Sequence, residues 1–449
     1  MKRYLPVMAL VTTAVIGLSY SGWSSSVGAQ PTVPHPSAVA LDQASTVDRR
    51  ELSRLIDEFE RQVKDRPTAT SLNFLAQMYL QRGRLTGDVA TYVQAQVALQ
   101  QAVRLAPLDV ESRTLLASVL ATTHDFAGAA REAGALASEN PTDVAASAVL
   151  GDAQLELGAY ADAAQTYGRL YADAPDSAAV IVRQARLAFL QGGVHRAERL
   201  ANDAKDKALA SAFGDAGLAF YTTFQAQLAH DTGHYDRAAD LYSQALREAP
   251  GYYIALAGLA RERAAQGRID DAIKTYEQAV AAVPQPDAVA ALGDLYRLRG
   301  DAAKAKIEYD TVGAIATLAA INKQVYNRAL AVYDADHDVN VDEAVRLAQT
   351  ELSVRQDVYG YDAVAWALYK AGRYTDAKDA ATKALAQNTP DARLLYHAGM
   401  VDKALGHLDA ARTELRRALA ISPKFDPVQA PIARAALADL DHATAGAHS

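Results

Sequence analysis

A short run of acidic and amide residues is the part of this sequence whose types and spacing most suggest chemistry. Its oxygen donors stand at alternate positions: Asp334, Asp336, Asp338, Asn340 and Asp342. Carboxylate and amide oxygens suit Ca²⁺, which takes about six to eight oxygen ligands. The run lacks the glycine of the sharp turn and the final bidentate glutamate, because a valine stands at each of these places. Two interpretations stay open: a calcium-binding loop, or a polar turn that caps the next helix.

No catalytic constellation accompanies this run. The sequence lacks a nucleophile elbow, a Gly-rich phosphate loop and an HExxH zinc motif. It also contains no cysteine, which excludes disulfides, thiolate metal sites and cysteine nucleophiles. We therefore predict a protein that is not an enzyme and that needs no cofactor.

The composition and net charge of the chain indicate which class of partner to expect. The 449 residues are 50% hydrophobic and 22% charged, which is typical of a folded protein. The formal net charge is −8, with no block of like charge. Nucleic-acid binding needs a clustered basic face, so we expect a protein or peptide partner and no nucleic acid.

The first residues resemble an export signal in their chemistry. Two basic residues precede a mostly apolar run, Leu5–Leu18, which is too short to span a bilayer comfortably. Val27 and Ala29 place small side chains three and one positions before Gln30, as signal peptidase requires. We expect a signal peptide cleaved after Ala29, an exported protein in the periplasm or outside the cell, and no permanent membrane span. An uncleaved anchor is the alternative.

The rest of the chain is periodic. Within 251–284, a small residue is followed at spacings of 7, 12, 16, 19 and 24 by a fixed series: Ala260, Gly267, Ala272, Tyr276, Ala279 and Pro284. The same spacing starts again at Gly151, Ala226 and Gly399. From Ala117 to Gly151 the step is 34 residues. A fixed period of this length indicates a repeat architecture.

Each recurring position has a physical reason. A unit of this length holds two helices of about three to four turns with two short turns. The central glycine supplies the left-handed conformation that ends the first helix. We expect a short polar residue soon after it to cap the second helix, and the proline to end that helix.

These residues resemble the signature of the tetratricopeptide repeat family, over about Ser71–Lys424. The resemblance implies an all-α, right-handed superhelical solenoid of about ten helix-turn-helix repeats with N- and C-terminal capping helices. We expect the caps at Asp48–Lys64 and Ala430–His442. The predicted organisation is a signal peptide (1–29), a Pro-rich linker (30–45), the solenoid (46–426) and a C-terminal capping helix with its tail (427–449). The segment 335–423 is similar to exported bacterial repeat proteins without an appended catalytic domain.

In this family the first helix of each repeat lines a concave groove. The residues that this implies for the groove lie near the small residue of each first helix: Asp152, Arg186, Phe189, Gln227, Arg261, Asp294, Arg297, Trp366, Tyr369, Tyr396 and Lys403. The three arginines suit a carboxylate or an acidic peptide. Trp366 and Tyr369 are three apart on one helix, and suit an apolar or sugar-like group. The alternative is an ordinary solvated groove with Trp366 in the core.

Three functional hypotheses follow. The first is a scaffold that binds a protein or peptide in the groove outside the cytoplasm. The second is a structural component of an envelope polysaccharide export or assembly complex. The third is a calcium-binding protein that uses the acidic run Asp334–Asp342. The sequence does not indicate the oligomeric state.

Overall fold

The computed structural model describes residues 49–86, 90–210, 214–322 and 327–447, and α-helices account for most of them. Within these ranges there is no β-strand, and no helix is both long enough and apolar enough to cross a membrane. The predicted signal peptide (1–29) and linker (30–45) lie outside the described residues.

The described residues form 22 helices. In chain order they are α1 (Arg49–Asp65), α2 (Ala69–Thr86), α3 (Ala90–Leu105), α4 (Val110–Thr122), α5 (Phe126–Glu139), α6 (Val144–Glu156), α7 (Tyr160–Asp173), α8 (Ala178–Leu190), α9 (Val194–Ala210), α10 (Gly214–Asp231), α11 (Tyr235–Glu248), α12 (Tyr253–Ala265), α13 (Ile269–Ala282), α14 (Pro286–Leu298), α15 (Ala302–Asn322), α16 (Asn327–Asp336), α17 (Val341–Val354), α18 (Val358–Lys370), α19 (Tyr374–Ala384), α20 (Ala392–Ala404), α21 (Leu408–Ile421) and α22 (Gln429–Ala447).

Helices α2 to α21 form ten successive pairs, and each pair packs against the next. Helix α1 covers the first pair and α22 covers the last. The predicted all-α solenoid of ten helix-turn-helix units with a capping helix at each end is therefore confirmed.

The turns follow the expected chemistry. Gly158 and Gly267 end first helices in the left-handed region, with φ of 73° and 79°. His124 takes the same place in the second unit with φ of 62°. Five second helices end two residues before a proline, at Pro141, Pro175, Pro250, Pro284 and Pro423.

The prediction for helix capping was wrong in most units. Asp125 caps the second helix α5, but α7, α11 and α13 begin without a side-chain cap bond. In these units the acidic residue lies inside the first turn, as Asp162 and Asp236 do, where it favours the helix dipole without capping. Aspartates cap first helices instead: Asp109, Asp143, Asp357 and Asp391.

First and second helices differ in burial. In α8 all residues but Ala179 are buried, whereas α11 buries only Ala238, Tyr242 and Ala245. A helix that is buried all round lies inside the protein, and an amphipathic helix lies on its surface. The first helices therefore form an inner layer, and the second helices form the outer layer.

The inner layer is closed because the solenoid winds onto itself. Hydrogen bonds join residues 189 to 199 positions apart, among them Val358 N to Tyr160 Oη (2.9 Å), Thr389 Oγ1 to the Leu190 carbonyl (2.7 Å) and Lys424 N to Tyr235 Oη (2.8 Å). A separation of 199 residues is about six of the 34-residue units. The turns of the third to fifth units therefore stack on the junctions that follow the eighth to tenth units.

Candidate functional site

A pocket opens on the inner face where α14, α16, α18, α20 and α22 converge. It encloses about 620 Å³, counting the space open to solvent. Its polar and aromatic lining consists of Asp287, Asp294, Arg297, Tyr333, Asp336, His337, Trp366, Lys370, Arg393, Tyr396, Asp426 and Gln429. The first helices α14, α16, α18 and α20 supply most of this lining, and the capping helix α22 with the residues before it supplies the rest.

Asp294 is held by three side chains. It accepts hydrogen bonds from Tyr309 (2.7 Å) and Arg297 (3.1 Å), and it lies 3.1 Å from His337 Nε2. Burial acts to raise the pKa of Asp294, but the hydrogen bonds from His337 and Tyr309 and the charges of His337 and Arg297 together outweigh it and hold that pKa below its usual value. Burial likewise opposes the charged imidazole, yet the bond to Asp294 raises the pKa of His337. This corner of the pocket favours a carboxylate and an imidazolium in contact.

Trp366 forms a fixed wall. Its indole N–H donates to Asp336 Oδ1 at 2.7 Å, and the same oxygen accepts from Gln429 Nε2 at 2.6 Å. Tyr369 and His397 stack on the indole, with ring centroids 4.9 Å and 4.1 Å away. Because its N–H is bonded and its side chain is buried, at 3% exposed, Trp366 shapes the pocket and offers little free surface to a ligand.

Asp287 and Asp426 are the weakly compensated carboxyl groups of the pocket. Burial raises the pKa of Asp287 to about 7, although backbone N–H groups and the positive charges of Arg261 and Arg393 oppose the rise. Burial also raises the pKa of Asp426 to about 6, against the effect of Arg393 and of two backbone N–H groups. Both groups therefore titrate close to neutral pH.

The structure separates the predicted groove residues into two sets. Asp294, Arg297, Trp366 and Tyr396 line the pocket, and half-buried Tyr369 lies directly behind Trp366. The other set is buried in the inner layer of the third to sixth repeats: Asp152, Arg186, Phe189, Gln227 and Arg261. Lys403 belongs to neither set, since it is half-buried with its Nζ 3.4 Å from Asp439 of α22.

The buried arginines serve the protein itself. Arg186 pairs with Glu156 at 2.7 Å, and both side chains are almost fully buried. Arg261 donates to Gln227 Oε1 and to the Tyr242 hydroxyl, each at 3.0 Å. Their position on the inner face was expected, but the stacked solenoid turns cover that face here. These two arginines hold repeats together where the sequence suggested contact with a partner's carboxylate.

The buried aspartate has a comparable role. Asp152 accepts a bidentate pair of bonds from Arg183, at 2.8 Å and 2.7 Å, and a third bond from the Tyr167 hydroxyl at 2.7 Å. The buried carboxylate of Asp152 needs all three of these bonds, because an isolated charge is costly to bury. Asp152 therefore joins the third repeat to the fourth.

The acidic run around residue 338 is divided among several partners. Asp334 accepts from Asn340 at 3.3 Å, Asp336 accepts from Trp366, and Asp338 pairs with Lys370 at 2.7 Å. Across the described part of the chain, no group of three or more His, Asp or Glu side chains is placed to hold a metal ion. The geometry therefore adds no support to the calcium interpretation.

The capping interpretation of this run also fails in detail. Asn340 precedes α17 in the left-handed conformation and makes no side-chain cap bond. Asp342 lies inside the first turn of that helix. Its carboxylate favours the helix dipole there, which is also the arrangement in α7, α11 and α13.

Several of the residues that line the pocket were not predicted from the sequence. For three of them, the helical spacing from a predicted residue does indicate a place on the same helix face. Lys370 lies four positions after Trp366, Arg393 lies three before Tyr396, and Asp287 lies seven before Asp294. Residues at these spacings share one face of a helix. Asp426 and Gln429 lie at the start of the capping helix, where the repeat pattern has ended and gives no signal.

Models of known protein families match three stretches of the chain. One tetratricopeptide repeat model matches residues 229–295, and a second matches residues 114–179 and 364–424. A search of curated protein sequences finds no significant match.

Three solved structures illustrate the similarity. The human IFIT1 dimer with PPP-AAAA is 16% identical, with a TM-score of 0.44, over 83% of this chain and 95% of that one. PilW, a widely conserved type IV pilus biogenesis factor, is 20% identical with a TM-score of 0.39, over 45% of this chain and 91% of that one. A thermophilic tetratricopeptide repeat protein of Thermus thermophilus is 20% identical with a TM-score of 0.38, over 43% of this chain and 98% of that one. The family models and the ten packed helix pairs identify the chain as a tetratricopeptide repeat protein.

Proposed function

We propose that this protein is a scaffold that holds a protein or peptide partner in the pocket formed by α14, α16, α18, α20 and α22. Tetratricopeptide repeats support a role in protein interaction. Binding of the partner in this pocket is supported by the shape of the pocket and by the residues that line it. Five successive inner helices each contribute polar side chains to one depression of about 620 Å³.

One observation supports this location above all others. The stacked turns bury the inner face of the third to fifth repeats, where Arg183, Arg186 and Phe189 are at most 4% exposed. At the pocket, by contrast, the Arg297 side chain is 52% exposed. A partner can therefore reach polar side chains of the inner layer at this end of the solenoid.

We also propose that the protein acts outside the cytoplasm. This proposal is supported by the basic start, the apolar run Leu5–Leu18 and the small residues Val27 and Ala29. They have the order and spacing of a cleaved signal peptide.

Selection from a displayed library of random peptides tests binding in the pocket. The wild-type protein should enrich a family of related peptides, and Arg297→Glu should change their binding by about tenfold or more, because it reverses a charge in the pocket. Arg299→Glu is the matched control, since Arg299 is also exposed and paired with aspartates but does not line the pocket. Enrichment of no peptide, or an equal change of binding in both variants, would contradict the proposal.

A further inference from the structure

We propose that the pocket recognises a basic side chain, a lysine ammonium or an arginine guanidinium, carried by the bound peptide. This inference rests on the proposed function and names the chemistry that the pocket selects.

The first observation is a pair of buried acceptors without donors. Gln429 is 6% exposed, and its amide nitrogen is committed to Asp336. Gln429 lines the pocket, and within the described part of the chain no group donates a hydrogen bond to its buried Oε1. Asp287 lines the same pocket, and its Oδ1 is likewise buried without a donor among the described residues. Buried acceptors are normally satisfied, so this pair indicates a ligand that donates hydrogen bonds.

The second observation is the balance of charge. Four carboxylates line the pocket: Asp287, Asp294, Asp336 and Asp426. Three of the lining cations are already engaged: Arg297 and His337 with Asp294, and Lys370 with Asp338. Arg393 interacts with Asp287 and Asp426, but its charge does not offset their burial. A cation that enters the pocket therefore meets carboxylates that the chain itself leaves incompletely compensated.

Other ligand classes fit these groups less well. An anionic ligand would face the four carboxylates, because the lining cations already interact with aspartates of the chain. An apolar ligand would leave Gln429 Oε1 and Asp287 Oδ1 without donors. Ammonium and guanidinium groups carry only donors and a positive charge, so they satisfy both requirements at once.

Tryptophan fluorescence gives a direct readout. The sequence contains two tryptophans, Trp23 and Trp366, and Trp366 lines the pocket. In the full chain with Trp23→Phe, the tryptophan emission, excited at a wavelength that tyrosine does not absorb, therefore comes from Trp366 alone. The probes are a capped Gly/Ser heptapeptide with a central lysine, the same peptide with norleucine, and n-butylamine. Norleucine keeps the aliphatic chain and removes the charge.

The lysine peptide should shift the Trp366 emission saturably, and the norleucine peptide should bind about tenfold more weakly or not at all. Asp287→Asn should abolish this preference for lysine, whereas Asp310→Asn, at an exposed carboxylate on α15 outside the pocket, should leave it intact. Circular dichroism spectra confirm that both variants are folded.

The outcomes separate the inference from the proposed function. Equal binding of the lysine and norleucine peptides, or no lysine-dependent signal at millimolar concentration, overturns the basic-side-chain inference. Peptides enriched from the random library without a fixed basic residue would overturn it as well, while they would support the scaffold. Binding of n-butylamine as tight as that of the lysine peptide would show that the site takes free amines. It would overturn the inference that the basic group belongs to a peptide.

Discussion

Arg355 donates a hydrogen bond to Glu156 inside the protein, although the two residues are 199 positions apart in the sequence. Both side chains are almost completely buried. Glu156 also accepts from Arg186, and Arg355 lies 3.8 Å from Glu351. This shared carboxylate ties the turn after α6 to the junction between α17 and α18, so that one turn of the solenoid rests on the next.

Removal of this link should destabilise the protein strongly. Arg355→Met leaves the buried carboxylates of Glu156 and Glu351 short of a counter-charge, which costs about 3–5 kcal/mol when one partner of a buried pair is deleted. Urea denaturation followed by circular dichroism measures the loss in the free energy of unfolding.

A surface pair supplies the control for this measurement. Arg346 and Glu343 form an exposed pair on α17, with side chains 61% and 46% exposed. Arg346→Met should change the free energy of unfolding by less than about 1 kcal/mol. Similar losses in the two variants would show that the buried network does not hold the turns together.

Two turn glycines make a second test of the stacking. Gly158 and Gly267 both have positive φ, so alanine at either place costs about 1–2 kcal/mol of backbone strain. At 158 a new Cβ would also collide with the backbone oxygen of Gln356 on the stacked turn, whereas at 267 it would meet open space. Gly158→Ala should therefore be the more destabilising change, by roughly 1–3 kcal/mol of overpacking. Equal melting temperatures of the two variants would contradict the stacked arrangement.

The units of the fold were predictable from the sequence because their signals are local. A left-handed glycine, such as Gly158, and a proline two residues after a helix, such as Pro175, act within one or two turns of the chain. The contact of Glu156 with Arg355 was not predictable in this way. It depends on the small rotation from each unit to the next, which accumulates over about six units.

The same dependence on the whole superhelix explains why the candidate site was only partly predicted from the sequence. The spacing placed Arg186 and Arg297 equally on first helices, yet one is buried beneath a stacked turn and the other lines the pocket. Which part of an inner face stays open depends on the superhelix as a whole. Trp366 was predicted both as a groove residue and, alternatively, as a core residue, and it lines the pocket while being buried.

Asp287 should make the stability of the protein depend on pH. Its pKa rises from 3.8 to about 7 on folding, so between these values the folded protein holds a proton that the unfolded chain releases. This group therefore lowers the free energy of unfolding as pH rises from about 4 to 7, and the loss is complete above 7. The charged and titratable groups that act on it are Arg261, Arg393 and Tyr276.

An asparagine at this position cannot ionise. Asp287→Asn should match the wild type near pH 4 and should exceed its free energy of unfolding at pH 8 by at least about 1 kcal/mol. Urea denaturation at the two pH values measures the difference, and Asp310→Asn serves as the control at an exposed carboxylate. An Asp287→Asn variant less stable than the wild type at pH 8 would show that the carboxylate is well compensated in the pocket.

The proposed export of the protein leads to a separate prediction about its N-terminus. Protein recovered from the periplasm or the medium should begin at Gln30, because signal peptidase would cut after Ala29. Ala29→Leu should block this cut, since a large side chain does not fit the position before the cleavage site. N-terminal sequencing settles the point, and a recovered chain that begins at Met1 would contradict the cleavage.

Photo-crosslinking in the native cell tests most directly whether partners bind in the pocket. Ile432 lines the pocket and Ile307 lies on the outer helix α15, and both are exposed, by 46% and 61%. A photoreactive benzoylphenylalanine in place of Ile432 should form a covalent adduct with a protein or peptide on irradiation, and the same residue in place of Ile307 should not. An adduct at position 307 with none at 432 would contradict binding in the pocket.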